Sequence, residues 1–324
     1  MRKKVKSSAM ILAVAALVGL MSIGTTAIAA DKNLVIAGSS VKGTWYRFAG
    51  GVASLVDKYI PGYRATAQPS PGSIKNLRDM RNGEIDIAMV LPDAAYQCYN
   101  SLPPFDKEKP FKDLRAIFNT YSFPMHILVT KDSKIKSLKD IKGARIGAGP
   151  PGSTSMMVTK AILAEVGITP DQVKFRYMSV SENASALADG NVDVSFILTG
   201  KLSAAVSQLF TMHEVRYIPV SPEVLKSLNK KQPYFVPGEV KAGTYGKVEK
   251  DVPCLTMWGV LSTTTKMSDD FVYQLTKTVF EHKAQLVKIL KLAEEMTPQR
   301  AGNDLPVPLH PGALKYYKEV GAIK

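Results

Sequence analysis

The stretch "LRDMRNGEIDIAMV" (residues 77–90) returns in different letters as "SALADGNVDVSFIL" (185–198). Both read as a helix that ends at a glycine, then a β-branched residue, an aspartate and an apolar strand. Glycine suits the end of a helix because it takes the left-handed conformation there without a Cβ clash. Upstream of each copy the pattern is also the same: a short apolar strand, then Gly43-Thr44 or Gly152-Ser153 opening a helix. Asp86 follows Gly43 by 43 residues and Asp193 follows Gly152 by 41. The chain therefore reads as two similar units built on one scheme.

Around these echoes, strands and helices alternate. "NLVIAGSS" (33–40), "RATAQ" (64–68) and "IDIAMV" (85–90) read as strands. Between and after them, "TWYRFAGGVASLVDKY" (44–59), "SIKNLRDMRNG" (73–83) and "DAAYQCYN" (93–100) have helical spacing. The second unit repeats the order from "ARIGAG" (144–149) to "LSAAVSQLF" (202–210). Such alternation predicts an α/β fold with parallel sheets covered on both faces. "RAIFNTYSFPMHILVTKDS" (115–133) reads as two extended pieces joined near Phe123-Pro124, and "DVPCLTMWGVLSTTT" (251–265) as a third. These would cross a hinge, and "DDFVYQLTKTVFEHKAQLVKILK" and "GALKYYKEV" would return as helices to the first unit. The expected division is 30–124 for the first part of lobe 1, 125–250 for lobe 2, and 251–324 for the second crossing and the rest of lobe 1. In open α/β sheets a ligand sits at the carboxyl ends of the strands, so both helix-opening turns should face the cleft between lobes.

Residues 1–29 have another character. Arg2, Lys3, Lys4 and Lys6 precede an apolar run from Met10 to Met21, and Ala27 and Ala29 have the spacing of a signal peptidase site. That is the pattern of a cleaved secretory signal, and the run is shorter than the roughly 20 residues a membrane span needs. The expected location is therefore periplasmic. Without the four basic residues of that segment the formal charge of +14 becomes +14 − 4 = +10, spread as single Lys and Arg residues among acids with no run longer than Lys230-Lys231. A scattered excess points to a solvated surface and a bias toward small anions, not to nucleic acid. Cys98 and Cys254 could pair or remain two buried thiols. His126, His213, His282 and His310 are isolated, so no metal spacing exists and no metal or other cofactor is expected.

"IGAGPPG" (146–152) formally matches G-x-G-x-x-G. A dinucleotide site also wants an acid ending the next strand, but Asp171 precedes that strand. Pro150 and Pro151 remove two N–H donors from the turn, and no Lys follows for a Walker-type loop. What remains is a helix opening on Gly-Ser-Thr-Ser, able to attract one anionic group or simply to cap itself. Gly43-Thr44-Trp45-Tyr46 offers the same device with aromatic walls. Hydrolysis would need Ser153 or Ser155 beside His126 or His213 and an acid such as Asp93. There is no G-x-S-x-G elbow to organise them, so no enzyme is expected.

Six segments in order, among them "VIAGSSVKGTWYRFAGGVA", "IGAGPPGSTS" and "LPVPLHPGALKYYKE", resemble the TAXI proteins (TRAP-associated extracytoplasmic immunogenic) over essentially the whole exported chain. The resemblance implies a two-lobed, type II-like periplasmic binding protein. It would close on a small organic acid or acidic amino acid, in the manner of glutamate or 2-oxoglutarate. A monomer would then deliver the solute to the integral-membrane subunits of a TRAP permease; the same pocket could instead serve a membrane signalling sensor. Gly43, Thr44, Trp45 and Tyr46 fall on the family's first-lobe pocket segment. Gln68 and Ser73 fall at expected polar contacts, Pro151, Gly152, Ser153 and Thr154 on the second-lobe turn, and Tyr245 on a tyrosine before the last crossing. The chain departs from the family at Val90-Leu91-Pro92-Asp93, at Met125, where relatives often carry Glu, and at Lys201, where they carry an uncharged residue. Asp93 and Lys201 join the expected ligand contacts, and a lost carboxylate with a gained ammonium favours an amine-free anion. Lys201 could equally be solvated.

Overall fold

The computed structural model describes residues 32–39, 41 and 43–324; the expected signal peptide lies outside the described residues. Strand β1 (Lys32–Ala37), helix α1 (Thr44–Tyr59), β2 (Tyr63–Gln68), α2 (Ser73–Asn82), β3 (Ile87–Val90) and α3 (Pro92–Asn100) form the first series. After the long β4 (Leu114–Thr130), the series repeats as β5 (Arg145–Ala148), α4 (Thr154–Glu165), β6 (Lys174–Tyr177), α5 (Val180–Ala188), β7 (Val194–Leu198) and α6 (Ala204–Met212). Strand β8 (Val215–Tyr217), α7 (Pro222–Lys231) and β9 (Val236–Val240) lead into β10 (Val252–Thr264). The chain ends with α8 (Asp269–Glu281), α9 (Lys283–Ile289), α10 (Pro298–Ala301) and α11 (Pro311–Glu319). The single long helix read at 269–291 is broken at His282, whose ring stacks on Tyr59 at 3.7 Å.

The strand order is β2-β1-β3-β10-β4-β7-β5-β6, with β9 on β10 and β8 on β4. Pairing is parallel within β2-β1-β3 and within β6-β5-β7, and antiparallel wherever β4 or β10 takes part. The sheet is thus mixed, which corrects the expectation of purely parallel sheets: β10 runs against the first triplet through β3, and β4 against the second through β7. Residues 115–130 are likewise one strand instead of two pieces. Leu114–Pro124 pairs with β10, and Met125–Leu128 pairs with β7.

The echo between the halves has a structural basis. Asp86 Oδ2 accepts the Val35 amide at 2.8 Å while the Asp86 amide donates to the Val35 carbonyl at 3.1 Å. Asp193 brackets Arg145 in the same way, at 2.7 and 2.8 Å. Ten residues earlier in each copy a buried asparagine ties helix to strand: Asn76 donates to Met89 O and Asn183 to Phe196 O. The repeated letters therefore hold the entering strand and the covering helix in register with the middle strand.

Helices cover both faces of each half. Phe48, Val52 and Val56 of α1 pack with Phe271, Leu275 and Val279 of α8 and with Tyr316 and Tyr317 of α11, while Leu77 and Met80 of α2 and Cys98 of α3 pack on the other face. In the second half, Met156, Val158 and Ile162 of α4 pack with Leu225 and Leu228 of α7, opposite Leu187 of α5 and Leu209 and Phe210 of α6. Each such side chain contributes about 1.5–3 kcal/mol by leaving water. Cys98 and Cys254 are buried, unpaired thiols in separate cores. Among the described residues, no helix is long and apolar enough to cross a membrane.

Candidate functional site

A cleft of about 1250 Å³ is lined from both halves. Parallel β-α-β units place every helix start at the carboxyl edge of its strands, and here the starts of α1 to α6 all reach this cleft: Gly43-Thr44, Gly72-Ser73, Leu91 and Asp93, Ser153-Thr154, Met178 and Val180, and Ser203-Ala204. Each start carries unsatisfied amides and roughly half a positive charge. The charged side chains on the wall reinforce that sign. Among the described residues, Arg47, Lys75, Arg78, Lys201 and Lys291 line it, against one carboxylate, Asp93.

Three of these cations are already matched. Lys75 pairs with Asp79, Arg78 with Glu108 at 2.7 Å, and Lys201 with Glu295 at 3.2 Å. Arg47 donates to the Ile289 carbonyl, and neither Arg47 nor Lys291 has an acidic partner among the described residues. These two are the cations best placed to serve an incoming anion.

The helix starts differ in how their own side chains treat them. Ser153 Oγ accepts the Met156 amide at 3.3 Å, and Ser179 with Glu182 forms a full capping box. The caps of α1 and α2 are Gly43 and Gly72, which have no side chain to offer. Thr44, one residue inside α1, accepts a hydrogen bond from the Tyr121 hydroxyl at 2.9 Å, and Ser73 Oγ accepts the Leu91 amide at 2.9 Å. Trp45 meets Phe123 edge-on at 5.8 Å on the same wall, and its buried Nε1 has no hydrogen-bond partner.

Asp93 is 3% exposed and stands where the halves meet. Thr154 Oγ1 of α4 donates to Asp93 Oδ2 across the cleft at 2.7 Å, while Oδ1 has no partner. Burial pushes this carboxyl up to about 6, against the pull of the Thr154 bond and of the Ala94 and Asp93 amides.

Of the residues singled out in the sequence, Gly43, Thr44, Trp45, Ser73, Asp93, Gly152, Ser153, Thr154 and Lys201 line the cleft. Tyr46, Gln68, Pro151 and Tyr245 are not on its wall. Gln68 is exposed at the end of β2, and Tyr245 stacks on Phe210 at 5.3 Å in the core behind α6. Sequence reasoning passed over Arg47 and Lys291. Arg47 could have been found, since it lies three residues after Thr44 and shares its helix face; Lys291 carries no local signal.

His126 is fully buried, bonded through Nδ1 to the Tyr217 hydroxyl at 2.7 Å, and burial drives it down to about 3. It is a neutral core residue, and no histidine is among those lining the cleft. Among the described residues, no group of three or more His, Cys, Asp or Glu could hold a metal ion.

Two α/β halves joined by long shared strands, with a cleft ringed by helix starts, form the architecture of periplasmic solute-binding proteins. The chain belongs to the NMT1-like family, whose model matches residues 36–321. A protein of Escherichia coli (strain K12) named for aliphatic sulfonate binding is 26% identical over 196 residues, which cover 60% of this chain and 58% of that relative. The match thus spans little more than half of the relative's length. The crystal structure of the periplasmic aliphatic sulphonate binding protein from Escherichia coli is similar with a TM-score of 0.51 at 15% identity, covering 90% of this chain and 84% of that one. A TctC solute binding protein from Polaromonas gives 0.56 at 17% identity, covering 92% of this chain and all of the other. At these identities the structural likeness is one of fold.

Proposed function

We propose that this protein is an extracytoplasmic receptor that binds a small organic anion in the cleft and presents it to a membrane permease. One observation carries the reading: among the described residues, six helix starts and five cationic side chains face a cleft that holds a single carboxylate. A carboxylate or sulfonate is the ligand such a field favours. The relatives named for sulfonates fit the same chemistry, and the resemblance to TAXI receptors supports a TRAP-type permease as the partner and dicarboxylates or acidic amino acids as candidate solutes. The lobes would be 30–124 with 251–324, and 125–250, closing because the solute touches both.

The test is thermal unfolding of refolded, ligand-stripped protein against dicarboxylates, acidic amino acids, alkanesulfonates, sugars and NAD. A solute held at 100 times its dissociation constant adds about 2.7 kcal/mol to stability, enough for a shift of several degrees. An upward shift confined to one class of anion supports the reading; a shift with sugars or NAD alone, or with nothing, refutes it.

A further inference from the structure

The carboxyl of Asp93 is at odds with the rest of the cleft. Among the described residues it is the one acid on the wall of a site built for anions, it is almost wholly buried, and one of its two oxygens has no partner. Thr154 donates to Oδ2 from the opposite half, so the unmatched atom is Oδ1. An ionised Oδ1 would call for a donor from the solute, and an ammonium group would be the strongest. Yet that ammonium would have to enter past Arg47 and Lys291 and beside six positive helix starts. A protonated Oδ1 resolves both difficulties: it repels no anion, and its O–H has an acceptor in the solute itself.

Resting on the anion reading above, we propose that Asp93 is a ligand-contact residue that takes up a proton when solute binds, donating Oδ1–H to the solute's carboxylate or sulfonate and selecting anions without an ammonium group. Burial pushes the carboxyl up to about 6, so at neutral pH it is mostly ionised. An anion brought against it raises it further, because two like charges in a poorly solvated site disfavour the ionised form. The proton comes from solvent, and no bond other than O–H changes. The titratable groups facing it from the packed elements are Tyr96 on its own helix and Tyr234 from the segment between α7 and β9, with rings 5.6 Å apart. Burial, and after it the charge of Asp93, push Tyr234 upward, so it stays neutral throughout the range of interest. His126, held down near 3, does not titrate there either.

The experiment is calorimetric titration of the full exported chain with 2-oxoglutarate and with ethanesulfonate, both fully ionised between pH 6.5 and 8.5. Taurine serves as the ammonium-bearing counterpart of the sulfonate. Repeating the titration in buffers of different ionisation enthalpy counts the protons exchanged. The expected result is affinity falling by up to about tenfold per pH unit as pH rises, uptake of up to one proton per solute, and ethanesulfonate binding more tightly than taurine. Asp93→Asn keeps an acceptor for Thr154 and offers a permanent N–H, so it should bind the same anion with no pH slope and no proton uptake. Affinity that is flat or rises with pH, proton release, or a preference for taurine overturns the inference and leaves the anion cleft intact. If neither 2-oxoglutarate nor ethanesulfonate binds at any pH, while other anions raise the unfolding temperature, the same titration on the best of those decides it. If no anion binds at all, the anion reading fails and takes this inference with it.

Discussion

The two halves of the molecule share a strand order, an asparagine and an aspartate ten residues apart, and helices on matching faces, yet they treat their helix starts differently. In the second half, α4 and α5 begin on Ser153 and Ser179, each of which accepts one amide of its own helix, while Ser203 leaves α6 without a side-chain cap. In the first half, α1 and α2 begin on Gly43 and Gly72 and leave theirs open, and the two cations without acidic partners, Arg47 and Lys291, lie on that side. A shared scaffold thus fixes where helices point, while the capping residue decides which starts are free for a ligand. The charged end of the solute is expected on the first half, with the second half closing over the rest.

The largest effect should come from a single methyl group. A Cβ at Gly147 would lie 2.0 Å from Asn183 Oδ1, so Gly147→Ala displaces the buried amide that holds α5 to β7. Overpacking and the lost hydrogen bond together predict a loss of about 2–4 kcal/mol in urea unfolding. The equivalent position in the first half is already Ala37, where Asn76 keeps bonds to both Gly38 O and Met89 O. Ala37→Gly should cost only about 1 kcal/mol. Equal costs would break the correspondence between the halves.

Next comes affinity. Arg47→Ala and Lys291→Ala should each weaken binding of the best anion about tenfold, roughly 1.4 kcal/mol. Lys201→Ala, whose charge is spent on Glu295, should change it less than about threefold. A larger loss at Lys201 would move the anion's charge to the second half and return the departure seen in the sequence to the centre of recognition.

Much of this was legible in the letters. Helix α1 has the limits its spacing predicted, 44–59, and the Gly-x-[Ile/Val]-Asp echo marked the repeat because each aspartate bonds the neighbouring strand that opens its own half. The mixed sheet was harder to see, since strand direction at β4 and β10 depends on pairing across more than a hundred residues. The site divided on the same ground. Thr44, Asp93 and Thr154 sit at helix starts that sequence announces, whereas Lys291 reaches the cleft only through the return of the C-terminal helices. Lys201 was visible, but its partner Glu295 was not.

Capping offers a smaller and more pointed change. Ser153→Ala removes the acceptor for the Met156 amide and should cost about 1 kcal/mol of stability. Gly43 has an extended backbone, φ −78° and ψ 151°, that any residue adopts. Gly43→Ser therefore gives α1 the cap that α4 has, with a gain of a few tenths of a kcal/mol and weaker anion binding as the amides are satisfied internally. Unchanged affinity in Gly43→Ser would mean that the open start of α1 is not used.

The smallest expected difference is electrostatic and appears only in acid. Asp86 and Asp193 bracket equivalent strands, but the residue bracketed is Val35 in one half and Arg145 in the other. Arg145 Nη2 lies 2.6 Å from Asp193 Oδ1, and its side-chain bonds, helped by its amide, hold the Asp193 carboxyl below its ordinary range. A carboxyl lowered on folding adds stability above its unfolded value, about 3.9, and that stability is lost as pH falls through the lower folded value. Asp193→Asn should therefore flatten the acid limb of the stability curve below about pH 4. The change should stay under about 1 kcal/mol, because both partners are roughly two-fifths exposed. Arg145→Val, which copies the first half, should flatten the limb in the same way while leaving the amide bracket in place. If Arg145→Val leaves the acid limb as steep as before, the backbone amide alone holds the aspartate, and the two halves differ at this point only in letters.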